Sequence, residues 1–175
     1  TISFHVTGVQ TCALPILEQT KRIILWLPER TIFYGDIVCE GKELDVYIED
    51  GCKVDGDIFA NGVIIQNDVT VRDISAKENI IIGEGCHVKE VLTNGNVRIG
   101  SGTHLDSVDI AGIAQVGDHV ICEEIIAGGN VVTGTHCQID TIKSYASISL
   151  GVFTEVNNSL EACSRVYKGK NVIIP

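Results

Sequence analysis

The chain has 175 residues, 45% of them hydrophobic and 21% charged, the composition of a folded domain and not of a disordered segment. Its 13 basic and 23 acidic residues give a net charge of −10, and with no basic stripe this argues against nucleic acid as a partner. Aromatic residues are few, at 5%, and 18 glycines suit short strands joined by tight turns; no run of about 18 apolar residues is present to span a membrane.

Taken in order, the chain opens on a stretch, VTGVQTCALPI (residues 6–16), that has neither a helix cap nor signal-peptide grammar. It resembles the translation of a common sequencing-library adapter. Residues 1–16 are therefore read as a non-native, disordered leader, which removes His5 and Cys12 from any site. Residues 17–34 follow as an N-terminal strand or cap. Here the only tryptophan, Trp26, with Ile23, Ile24 and Leu27, is expected to cover an open end of the fold behind it. Residues 35–175 form the main domain. It starts with GDIVCEG, which echoes GDIFANG at a spacing of 21, so KELD (residues 42–45) is expected to bulge from a corner.

From Val46 onward the sequence repeats every 17 residues without a gap. A fixed period of about this length marks a solenoid. The first place of the repeat holds Val46, Val63, Ile80, Val97, Ala114, Val131 and Ile148; the third holds Ile48, Ile65, Ile82, Ile99, Val116, Thr133 and Leu150. Places seven and nine, then twelve and fourteen, are likewise aliphatic or small. Each pair is separated by two, the period of a strand, so three short strands per coil are predicted, with glycine-rich corners between them. The fold class is all-β: a single-stranded parallel β-helix of about seven to eight coils. At about 4.8 Å per coil it would be roughly 35 Å long.

Candidate chemistry is sparse. Cys52 and Cys86 share the seventh column two coils apart, too far for a disulfide, and the cysteines are read as small core residues in a reducing cytoplasm. His87 and His104 share the eighth column, while His119 and His136 share the sixth. Stacked imidazoles of this kind could bind a metal. Asp106, Glu123 and Asp140 share the tenth column with Glu124 beside them, an acidic ridge that could take calcium or simply stay hydrated. Arg72 and Lys89 occupy that column in earlier coils and confine the ridge to one end. No nucleophile elbow, phosphate loop or zinc-protease motif occurs, so no catalytic residue and no cofactor is assigned.

VDGDIFANGVII, VRDISAKENIII and the columns that continue them resemble the coils of the polymer-forming bactofilins. The resemblance covers residues 35–175. It implies a right-handed β-helix, cytoplasmic and often near the membrane, that stacks coil on coil with copies of itself without nucleotide. Membrane-proximal partners would fit that setting. The Trp-bearing N-terminal segment, which could block one end, departs from the family pattern. VLTNGNVRIG and EIIAGGNVVTG also resemble the β-helical part of flagellar-assembly-type polymerising proteins. A third reading is a hexapeptide-repeat acyltransferase on a left-handed β-helix, which IGEGCHV and IGSGTHL resemble; it requires inward residues where Lys77 and Asn94 stand. The favoured expectation is a self-assembling structural protein with Val172, Ile173 and Ile174 as its assembly surface. A charge at Ile173 is expected to abolish filaments.

Overall fold

The computed structural model describes residues 4–6, 16–19, 22–39 and 44–175. Every regular element among them is a β-strand, and the strands form a solenoid of about 8 turns set ~17 residues apart. No helix long and apolar enough to cross a membrane occurs among the described residues.

The 17-residue period becomes structure through parallel pairing. Ile80–Ile82 aligns with Val63–Ile65 on one side and with Val97–Ile99 on the other, residue for residue. These three-residue strands, with Arg22–Leu27 and Leu44–Ile48, build a 10-stranded sheet. The 11-stranded sheet takes one seven-residue strand from each central coil: Thr70–Ala76, His87–Thr93, His104–Ile110, Ile121–Ala127 and Gln138–Ser144.

Each central coil thus has two hydrogen-bonded strands, where three were predicted; the coil that begins at Val46 has the three expected, Leu44–Ile48, Lys53–Asp55 and Ile58–Ala60. The seventh-column residues lie in the turn ahead of the long strand, and the ninth, twelfth and fourteenth share that strand. In His87–Thr93 the inward residues are Val88, Val91 and Thr93, with Lys89 and Glu90 both facing out. Two consecutive outward residues mark a bend. The pairing register passes over Arg72 and Lys89 there and resumes at Asp73 and Glu90, so the ladder turns a corner without ending.

The interior is a column of stacked aliphatics. Ile48, Ile65, Ile82 and Ile99, one per coil, are at most 2% exposed. Burying each such side chain contributes about 1.5–3 kcal/mol, the main force that closes the coil. Two corner columns answer different constraints. At the fourth place the coils approach so closely that a Cβ on Gly100 would run into the Gly83 carbonyl. At the sixth place the backbone is left-handed in successive coils, through Gly85 and Gly102 and also through Asp68, His119, His136 and Phe153. Neighbouring side chains then satisfy corner amides: Asn67 N–H donates to Asp50 Oδ1 (2.8 Å), and Glu84 N–H to Asn67 Oδ1 (2.9 Å). At the next corner Asn96 N–H donates to Asn79 Oδ1 (2.9 Å) and Ile113 N–H to Asn96 Oδ1 (2.8 Å).

The N-terminal strand lies in the stack instead of capping it. Arg22–Leu27 runs parallel to Leu44–Ile48 at an offset of 21, with Leu25 and Leu27 buried and Trp26 in the outward row beside Tyr47. Ile37–Cys39 joins Ile58–Ala60 at the same offset. Of the residues expected to bulge, Leu44 and Asp45 belong to a strand, and residues 42–43 lie outside the described residues. Within residues 1–16, read as a leader, Phe4–Val6 pairs antiparallel with Ile37–Cys39, and Ile16 opens a strand, Ile16–Gln19, that continues into the next segment and pairs antiparallel with Arg22–Leu27. Both strands satisfy backbone groups on the first edge of a sheet. Residues 7–15 lie outside the described residues.

Candidate functional site

The bend in the long strand turns two rows of side chains outward and leaves a channel between them. One row, the eighth column, carries Lys53, Thr70, His87, His104 and Ile121; the other, the tenth, carries Asp55, Arg72, Lys89, Asp106 and Glu123. The channel is shallow, with a volume of about 470 Å³, and all of these side chains are exposed. Its charge is divided along the stack, basic over the earlier coils and acidic over the later ones.

Two of the sequence-derived candidates meet in this channel. The rings of His87 and His104 stack 5.0 Å apart and 7° from parallel, beside Asp106 and Glu123. Asp140 continues the acidic row beyond the channel and accepts a hydrogen bond from Asn157 Nδ2 (2.9 Å). Parallel rings present π-faces to each other, while imidazole lone pairs lie in the ring plane, so the stack does not itself form a chelate. No three His, Cys, Asp or Glu side chains among the described residues converge to hold a metal ion. His119 and His136 lie apart from this channel, at the left-handed corner, and form a stack 5.0 Å apart that Phe153 extends at 4.9 Å. Beside them Asp118 accepts from Thr135 N–H and hydroxyl, bonds that hold its carboxyl below the usual range.

Cys52, Cys86, Cys122 and Cys137 fill the interior as expected, whereas Cys39 is half-buried and Cys163, past the last complete coil, is exposed. Burial pushes the Cys122 thiol up to about 12, and it raises Cys52, Cys86 and Cys137 as well. Such thiols are poor nucleophiles. The seventh column has a polar task that apolar periodicity could not disclose. Cys86, Thr103, Cys137 and Thr154 each donate to the fourth-place carbonyl of the previous coil at 3.0–3.1 Å. Small side chains bearing S–H or O–H at one place in the repeat were the available signal.

The other candidate surface is the C-terminal face. Val166–Lys168 pairs with Ile148–Leu150 at an offset of 18, and a single bridge joins Glu155 to Ile173. Beyond it Glu155–Ala162 is the last strand of its sheet. Leu160, Ala162, Val172 and Ile174 are only half-buried against the core, whereas Ile173 is 59% exposed and points out of the coil. Of the predicted assembly residues, then, two lie on the end face and one on the flank.

Comparison with protein-family models, curated proteins and solved structures returns no match. A functional reading of this chain rests on its surfaces. The fifteenth-place residues that a hexapeptide helix would turn inward, Lys77, Asn94 and Tyr145, are exposed.

Proposed function

We propose that this chain is a structural scaffold protein that assembles with copies of itself, stacking coil on coil through its ends, as the resemblance to bactofilin coils suggests. The half-open apolar face at Leu160, Ala162, Val172 and Ile174 carries this reading. In the central coils, residues equivalent to Leu160 are covered by the next turn; Ile125 and Ile142 are fully buried. At the last turn the same core row stays half open, beside the last strand of its sheet, which among the described residues is met only at Thr154–Val156, by Ile173. A second copy can cover the apolar cross-section and pair the edge in one step, which is β-augmentation. The opposite end supports a division of labour, because antiparallel strands already occupy the first edge of each sheet there.

The test is Val172→Asp combined with Ile174→Asp, since these side chains lie on the end face and Ile173 does not. Wild-type chain is expected to form concentration-dependent assemblies by light scattering and negative-stain electron microscopy. The double variant, folded by circular dichroism, should lose them. Assembly that survives in the double variant, or a wild type that stays monomeric as concentration rises, overturns the proposal.

A further inference from the structure

The channel on the bent sheet is charged in a way that matches itself. Ordered along the stack, its rows run Lys53, Arg72, Lys89 and then Asp106, Glu123, with Asp140 next in line. The change of sign falls between Lys89 and Asp106, on adjacent coils, beside the stacked rings of His87 and His104. The basic members are accessible. Arg72 Nε lies 3.4 Å from Asp57 Oδ1 and Lys89 Nζ 3.9 Å from Glu90 Oε1, yet both basic side chains keep more than half their surface exposed, 53% and 54%. Asp55 is the one acid in the two rows at the basic end, and Asp73 and Glu90 stand one place further round the bend.

We propose that this channel is a lateral docking surface for a second copy of the same chain, lying side by side and antiparallel. A two-fold axis normal to the stack, passing between Lys89 and Asp106, sets Lys89 against Asp106 of the second copy. It sets Arg72 against Glu123 in the same way, while at the ends of the row Asp55 meets Asp140, a like pair that limits the match to the four central coils. Every contact occurs twice, as an isologous interface requires. With about 4.8 Å between coils, the matched row from Arg72 to Glu123 extends over about 14 Å. A parallel side-by-side arrangement would put like charges together and is disfavoured. The channel between two rows of side chains gives one row of each copy a place to lie. Docking here uses a different surface from end stacking and does not depend on it.

The experiment is sedimentation velocity on the full chain carrying Val172→Asp and Ile174→Asp, so that end contacts are absent. In low salt this protein is expected to dimerise. At about 1 M salt, where screening acts within about 3 Å, it should be monomeric. Adding Lys89→Glu should weaken the dimer about tenfold or more, because two symmetry-related pairs become repulsive. Adding Asp106→Lys to that variant should restore it, since the two charges have exchanged across the axis. A monomer in low salt overturns the inference. So does a dimer indifferent to salt or to Lys89→Glu, or one that the charge exchange fails to rescue. Circular dichroism checks that each variant is folded, which substitution of exposed residues favours.

Discussion

The fourth and sixth places of the repeat both attract glycine, but for different reasons that substitutions can separate. At Gly100 an added methyl group meets the backbone of Gly83 and Glu84, so the coils must part; at Gly102 it meets nothing within 4 Å, but φ is +69°. Gly100→Ala should therefore cost about 2–3 kcal/mol or more by overpacking, and Gly102→Ala about 1 kcal/mol. Urea unfolding midpoints test the order. Equal losses would mean that close approach is not what selects glycine at the fourth place. His119, His136 and Phe153 show that the left-handed corner accepts a side chain, here with ring stacking as partial return.

The thiols give a prediction in pH. Burial pushes Cys122 to about 12 and Cys39 to about 11, from an ordinary value of 9.0. Below about pH 9 both folded and unfolded chains hold these protons and the stability is intact. Above it the unfolded thiols ionise first, so stability falls as pH rises from about 9 towards 12. Denaturation midpoints from pH 8 to 11 should decline, and Cys122→Val should reduce the slope. Exposed Cys163 should react with a disulfide reagent in the native state, while Cys52, Cys86, Cys122 and Cys137 should react only on unfolding. Rapid native labelling of those four would refute the packing.

At the scale of the element, what could be read in advance follows from which signals alternate. Inward columns were legible because aliphatic residues recur at spacings of two within a 17-residue period, and the side chains at Ile48, Ile65, Ile82 and Ile99 are buried accordingly. The bend was not legible as a continuous strand: Lys89 and Glu90 break the alternation, but the backbone pairing crosses the break at Asp73 and Glu90. The first coil was legible only in GDIVCEG, whose spacing of 21 from GDIFANG is the offset at which Ile37 pairs with Ile58; the same offset puts Leu25 and Leu27 out of step with the 17-residue columns. The charged channel was visible only in part, since the tenth column was read without the eighth beside it. The 17-residue unit itself can be tested by removing residues 97–113, which joins Asn96 to Ala114 at the same places of the repeat. The shortened chain should keep its strand spectrum and unfold cooperatively. Removing one residue more should destroy the fold, because a register slip of one turns inward side chains outward. If both deletions behave alike, the columns do not govern the packing.

Over the whole molecule, a net charge of −10 opposes casual association, so contacts between copies must be local and directional. Two surfaces meet that requirement in different ways. The C-terminal face offers apolar rows and a strand edge, and contact there should be insensitive to salt. The channel offers matched charges, and contact there should weaken with salt. On the reading proposed above, one surface would lengthen an assembly along its axis and the other would join assemblies at the flank. Together they would make sheets or paired rods, and the two sets of variants separate the directions.

The parallel ladders also have a mechanical side. Hydrogen bonds between coils run along the long axis, through both sheets and through the amide side chains at two corners. Tension applied between the ends loads all the bonds of one inter-coil layer at once, and none can yield until the layer yields. A sideways force opens a layer from one edge, bond after bond. The rod should therefore be strong when pulled and weaker when peeled, a property suited to an element that carries load along its length.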